Sequence, residues 1–589
     1  MSHPAHKPGL GRAYRLEEYA GRSPLAAGDG PATRRGTPAA RMLDRLTAAA
    51  PPPPMMRRGG RAAAIPSGRA SQPSIAPPPL GVIALNRLGF GPRPGDLAAF
   101  DALGPDDPAR LAAYLDQQLA PGTIDDAVCD ARLAASGYAT LGKSLTQLWT
   151  DHVVANPTWK VRMQPVNETT LATFLRAVYS KRQLFEVMVD FWHNHFSIYA
   201  WESYEGPAWV HYDRDVIRAH TLGNFRQMLE AVARSTPMLL YLDNWRNSAD
   251  GPNENYAREL LELHTLGAEH YFGAVPRSQV PADGSGLQEG FCDEDVFAVT
   301  RCLTGWSLDA DPWWKLKSGN GGYRYRADWH DGGSKNVLGV ALPAGQPDEK
   351  DFLDVLDLLA THPGTATFVC RKIARRLIGD FPPQTVVDAA AQVFLAHVAS
   401  GDQIARVVRS IAESQAFRDT WGEKVKRPFE IVASALRAAD ANFPFVDGDP
   451  DTDSFDWRFY QTGHYPFDWH PPNGYPDFRE AWVSTGPRVL TWKLTNWLID
   501  VHDDGGNHRL DAMAATPAGV RSANALADFW IDRILGRPMD AADRQEVVEF
   551  MAQGINPSFD LPLDGDEDLR HRLQSMVGLI FLSPDFLWR

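Results

Sequence analysis

Cysteine is scarce in this sequence: four residues in 589, Cys129, Cys292, Cys302 and Cys370, with no Cys-x-x-Cys pair. That spacing indicates neither a zinc ribbon nor a thioredoxin-like redox pair, and four thiols in so long a chain make no disulfide framework. Buried free thiols are the expectation. No stretch of about 18 consecutive apolar residues occurs, so no membrane span is predicted. The sequence also lacks G-x-S-x-G, G-x-x-x-x-G-K-[ST], a strand-linked G-x-G-x-x-G and His-Glu-x-x-His. Nucleophile elbows, phosphate loops, dinucleotide fingerprints and zincin proteases therefore have no support. Arg34-Arg35 and Arg57-Arg58 are not followed by the apolar segment of an export signal, so the chain reads as unexported and cytoplasmic.

What is present is ordinary globular material. Hydrophobic residues make up 44% and charged residues 22%, enough for a sizeable core, and 18 tryptophans imply polar partners inside it. The net charge of −14 is unevenly spread. Residues 1–80 carry twelve Lys/Arg against four Asp/Glu, a net of +8, which leaves −22 on the remainder. An acidic body repels phosphates, so nucleic acid is not an expected partner.

Residues 1–79, rich in Pro, Ala, Arg and Gly, are predicted to be a disordered basic tail, because that composition buries too little surface to offset chain entropy. Residues 80–589 read as one large, mainly α, multi-helix domain, with helices over 105–119, 168–195 (interrupted near Ser180), 216–221, 225–235 and 253–266. Helices at 293–304, 348–361, 365–378, 385–399, 403–414, 428–441, 487–501, 523–535, 541–551 and 568–582 follow. Two stretches break the pattern. A β-hairpin/loop insertion is expected at about 307–345, its hairpin at 313–327 turning on Ser318–Gly322. A Pro/aromatic loop is expected at about 460–482, the kind of long loop that covers a cleft or packs structurally.

The chemistry-bearing residues concentrate in three places. On the helix around Leu184–Phe196, a 100° step puts Asp190 and His193 together on the arc opposite the apolar face, with His195 inside the apolar arc. His193 is then a metal ligand or general base oriented by Asp190; the alternative is a solvated surface pair with a core His195. On the 253–266 helix, Glu254, Arg258, Glu259 and Glu262 share one polar arc. Turned inward, they are costly enough to suggest a functional site; turned outward, they are an ordinary salt-bridged face. A ferritin-like di-iron site is disfavoured, because His264 lies about 200° from Glu262 by the helical step. The third place is the loop Asp328-Trp329-His330-Asp331-Gly332-Gly333, where His330 and Asp331 suit a metal but also suit a turn. Asp468, His470 and Asp477 form a weaker set.

Several segments carry a resemblance. They include Phe191-Trp192-His193-Asn194-His195-Phe196, Asp213-Arg214-Asp215-Val216-Ile217-Arg218, Tyr241-Leu242-Asp243-Asn244, the run from Asn253 to Gly267, Leu303-Thr304-Gly305-Trp306 and Pro471-Pro472-Asn473-Gly474-Tyr475-Pro476. They strongly resemble the bacterial family catalogued as domain of unknown function 1800, from about Leu80 to the end of the chain. The resemblance implies a helical bacterial protein, often exported and often encoded beside a sulfatase-like partner, and brings no established reaction. This chain departs from the pattern in lacking a recognisable export signal and in the length of its late loop.

Three functional readings follow. In the first, His193, Asp190, Glu259, Glu262 and Arg258 form one pocket for acid–base or metal-assisted hydrolysis of a small-molecule or polymer substrate. A divalent metal there would be held by His193, His195, Glu259 and Glu262, or by His330 and Asp331. In the second, the same residues form a buried polar network in a non-catalytic binding or assembly protein. The third is a redox metalloenzyme.

Overall fold

The computed structural model describes residues 77–310, 316–499 and 510–589. The expected disordered tail thus lies almost wholly outside the described residues, as does the start of the expected hairpin at 313–327. From Leu80 onward the fold is mainly helical, with two small two-stranded sheets among the described residues.

Six helices position the site: α1 (Leu80–Arg87), α2 (Gln164–Tyr179), α3 (Gln183–His195), α4 (Asn255–Glu259), α5 (Pro363–Leu377) and α6 (Pro428–Ala439). The expected long run of 168–195 is broken where Ser180 takes an extended conformation (ψ 141°), which ends α2 and lets α3 start at a new angle. Gln183 holds the break in place. Its Nε2 donates to the carbonyls of Ala177 (3.1 Å) and Ser180 (2.8 Å), and its Oε1 accepts from the Phe90 N–H (2.9 Å). Buried backbone groups left by an interrupted helix need such partners.

The core is one continuous apolar cluster from Leu80 to Leu587, with a small satellite around Trp149, Leu239, Trp245 and Leu308. Trp149, Trp192, Trp209, Trp306 and Trp530 are all fully buried. Three of these indoles find carbonyl or hydroxyl acceptors: Trp149 at Ser318, Trp192 at Thr221 and Trp530 at Thr516. Trp209 and Trp306 have none among the described residues.

The helical reading of 253–266 needs one change: α4 gives way to a π-helical turn over Leu260–His264. Tyr212–Arg218 is a second π-helical segment, following the short helix Trp209–His211. The hairpin also differs from expectation. β1 (Trp306–Leu308) pairs antiparallel with β2 (Tyr323–Tyr325), Trp306 opposite Tyr325, so the first strand lies before residue 313. The buried Trp306 anchors that strand, and the glycine-rich stretch belongs to a longer connection. Gly321 lies flat against the Trp149 ring, where a Cβ would come within 2.3 Å of it. β3 (Lys335–Val337) and β4 (Val340–Leu342) form the second pair, and with β1 and β2 they fill the expected insertion. In the late region an unexpected helix, Pro450–Tyr460, precedes the irregular Pro/aromatic loop. No described helix is long and apolar enough to cross a membrane.

Candidate active site around helix α3

Helix α3 continues unbroken to His195, so its last residues fan out at about 100° apiece. His193 and His195 consequently face nearly opposite sides, and Asn194 lies between them.

On the first side, the His193 ring is packed among Trp209, Tyr212 and Phe467, with centroid separations of 5.7, 5.7 and 4.8 Å. Its Nε2 lies 2.9 Å from Asp213 Oδ1, and its Nδ1 has no hydrogen-bond partner among the described residues. Asp213 comes from the π-helical segment, where i→i+5 bonding brings residues five apart onto one face. Arg218 is that residue: its Nε donates to Asp213 Oδ2 at 2.9 Å, and its two terminal nitrogens grip Glu186 at 3.0 and 2.8 Å. Arg176 stands 3.8 Å from Asp213. Burial alone would raise the Asp213 pKa, but Arg218, His193 and Arg176 hold it well below the usual carboxylate range. An ionised carboxylate beside Nε2 favours the tautomer with its proton there, which leaves Nδ1 as the acceptor.

His193 lines a cleft between α2, α3, α6 and the late loop, together with Glu186, Asp190, Asn194, Ser197, Arg427 and His464. Phe429, Phe467, Trp469 and Tyr475 supply its apolar walls. The cavity measures about 50 Å³. That is room for roughly three to five water-sized groups, so it suits a reacting group and not a whole large ligand. The late loop is latched over it by Asn194, whose Nδ2 donates to the Tyr475 carbonyl (3.0 Å) and whose Oδ1 accepts from the Tyr475 N–H (2.7 Å). Gly474 makes this approach possible: φ is +73°, and a Cβ there would sit 2.2 Å from the Asn194 carbonyl oxygen.

Asp190 opens on the same cleft but does not orient His193. Arg427 (2.6 Å) and Arg376 (3.0 Å) hold its carboxylate instead. Burial opposes ionisation of Asp190, and the two guanidiniums overcome it and lower its pKa. The helical step put Asp190 and His193 on one arc correctly; what it could not supply was the competition from Asp213, Arg376 and Arg427, all distant in sequence.

His195 is on the other side of α3, 1% exposed, with Nε2 donating to the His264 carbonyl at 3.2 Å. Burial keeps it neutral by pulling its pKa well below the ordinary value. Arg258, Glu259 and Glu262 do not line the cleft. Arg258 bridges Glu254 and Glu262 at 3.4 Å each and Asp293 at 3.5 Å, on a partly exposed face. Glu259, without such a partner, has its pKa pushed up to about 7 by burial and by Glu262 beside it. His330 and Asp331 are committed elsewhere. His330 meets the Thr304 carbonyl (2.9 Å) and Asp351 (3.2 Å), while Asp331 is gripped by Arg301 at 2.7 and 2.9 Å. The structure therefore does not gather His193, His195, Glu259, Glu262, His330 and Asp331 into one ligand set. Among the described residues, no group of three or more His, Cys, Asp or Glu is placed to hold a metal ion.

The residues that sequence reasoning missed are Asp213, Arg218, Glu186, Arg427 and His464. Asp213 and Arg218 stood in a segment that carried the family resemblance, and Glu186 falls by the helical step on the polar arc of Asp190 and His193; Arg427 and His464 carried no such signal.

No curated protein and no solved structure matches the chain. Residues 83–588 match the family described as Protein of unknown function (DUF1800), and this span takes in α3, Asp213, the arginines around Asp190 and the late loop. With nearly its whole length so matched, the chain belongs to the DUF1800 family.

Proposed function

We propose that the protein is an enzyme that carries out acid–base hydrolytic chemistry in the cleft at α3, with His193 as the general base. One observation carries this reading: His193 lines the cleft, its Nδ1 is without a partner among the described residues, and its Nε2 is held 2.9 Å from a carboxylate kept ionised by two arginines. A carboxylate in that position fixes the tautomer and stabilises the imidazolium formed when Nδ1 takes a proton. In this scheme Nδ1 takes a proton from water as the water oxygen bonds to the electrophilic atom of the substrate. The proton then passes to the leaving group as its bond breaks. The aromatic wall limits water to the few molecules the cavity admits. The substrate is then a small molecule, or a segment of a polymer, that presents one hydrolysable group.

A second reading, a structural network without catalysis, is favoured by the complete mutual pairing of Glu186, Arg218 and Asp213. Turnover separates the two. Wild type and the variants His193→Gln and Asp213→Asn are assayed on a panel of chromogenic esters, phosphates, sulfates and glycosides, with folding checked by circular dichroism. The catalytic reading expects at least one member to be turned over, and that rate to fall about 10²- to 10⁴-fold in His193→Gln. A panel without turnover, or turnover undiminished in both variants, contradicts it.

A further inference from the structure

On the far side of α3 from His193 lies a second cavity, whose lining includes His195, Lys372, Arg375, Arg376, Arg427 and Asp477. It is smaller, about 30 Å³, space for roughly two or three water-sized groups. Four of its lining residues are cationic and one is a carboxylate. That carboxylate, Asp477, is already paired with Lys424 at 2.9 Å. Arg376 and Arg427 are likewise spoken for, sharing Asp190 and Glu430.

Lys372 and Arg375 are left over. Neither has an ion-pair partner among the described residues, and both come from α5, one helical turn apart. Lys372 stands 5.4 Å over the Phe368 ring, and Arg375 stacks 4.2 Å over Phe478 while donating through Nε to the Asp380 carbonyl. Like charges at this helical spacing repel, and partial burial adds a desolvation cost. Burial and the neighbouring Arg375 bring the Lys372 pKa down to about 8. His195 also lines the cavity, but with Nε2 donating to the His264 carbonyl its buried Nδ1 is an acceptor and offers nothing to an unprotonated oxyanion.

We propose that this cavity is a binding site for a small oxyanion group (phosphate, sulfate or carboxylate), with Lys372 and Arg375 as its free cationic donors. An oxyanion supplies the missing negative charge and accepts from both side chains in charge-assisted hydrogen bonds. The site does not depend on the catalytic reading of the neighbouring cleft, since it is defined by binding alone.

The test is isothermal titration calorimetry of the full chain with inorganic phosphate, sulfate and acetate in separate arms, at ionic strength held constant with sodium chloride. At least one arm is expected to give saturable binding of one ion per chain, weakened roughly tenfold to a hundredfold in Lys372→Met and in Arg375→Gln. Thermal melts without added oxyanion separate a binding role from a structural one. Lys372→Met removes a half-buried charge that has no ion-pair partner among the described residues, and it is expected to melt at or above the wild-type temperature. Absence of saturable binding in all three arms, binding unchanged in both variants, or a Lys372→Met protein that melts below wild type in the absence of ligand overturns the proposal.

Discussion

At the scale of single residues, the fold holds several carboxyls in opposite electrostatic settings. Asp213 is surrounded by cations and stays ionised, whereas Glu205 is buried beside the Tyr204 N–H (3.3 Å), with the carboxylates of Glu202 and Asp243 as its charged neighbours. Burial pushes the Glu205 pKa up to about 7, from an ordinary value of 4.5. The folded state then keeps a proton that the unfolded chain has released, so stability falls as pH rises from about 4.5 through 7. A shift of that size corresponds to roughly 3 kcal/mol. Glu205→Gln is expected to remove much of this slope and to leave the variant more stable than wild type at pH 8. Denaturant unfolding at pH 5 and pH 8 checks this; equal slopes for both proteins would refute the assignment. Glu259 carries a similar push, and its partial exposure makes its share smaller.

At the scale of elements, helix positions were legible in the sequence because apolar periodicity and caps are local. The span from 225 to 235 is observed as Phe225–Arg234, capped by Asn224, and 568 to 582 as Glu567–Leu582, capped by Asp566. The π-helical segments were not legible, since nothing in residues 212–218 announces a wider turn. Yet that widening is what sets Arg218 beneath Asp213 and Asp213 beside His193. The two faces of the His193-Asn194-His195 triplet followed directly from the helical step; their partners did not, because those come from residues far away in the chain. The late loop illustrates the same division. Its prolines marked it as irregular, while its docking on Asn194 through Gly474 emerged only in three dimensions. Gly474→Ala forces a Cβ into the Asn194 backbone at a positive φ, and a destabilisation of about 1–3 kcal/mol is expected. Hydrogen exchange at the Tyr475 amide should rise in that variant, and an unchanged rate would show that the loop does not depend on this contact.

At the scale of the whole molecule, a buried ionic cluster ties the two ends of the described chain to its middle. Glu430 on α6 receives Arg376 from α5, Arg427 and Arg589, while Arg87 on α1 donates to the backbone carbonyls of Phe417, Thr420 and Arg589. No sequence pattern foretold this, since the partners lie up to 502 positions apart. Glu430→Gln strips the shared carboxylate from three buried guanidiniums and is expected to cost about 3–5 kcal/mol in denaturant unfolding. A loss well under 1 kcal/mol would mean that water, not Glu430, compensates them. The same cluster fixes Asp190 and Arg427, so the floor of the cleft is rigid for reasons unconnected with its chemistry. The acidic face around α4, by contrast, stays partly exposed, with Glu254 and Glu262 paired to Arg258.

The claim on which the functional account rests is that Asp213 holds His193 with its proton on Nε2 and its Nδ1 free. Ring-nitrogen NMR of ¹⁵N-histidine-labelled protein, with the His193 signals identified by their loss in His193→Gln, reads that tautomer directly. The account predicts a protonated Nε2 and an acceptor Nδ1 at pH values where the ring is neutral, with the signals displaced in Asp213→Asn. A protonated Nδ1, or signals indifferent to Asp213→Asn, would contradict it.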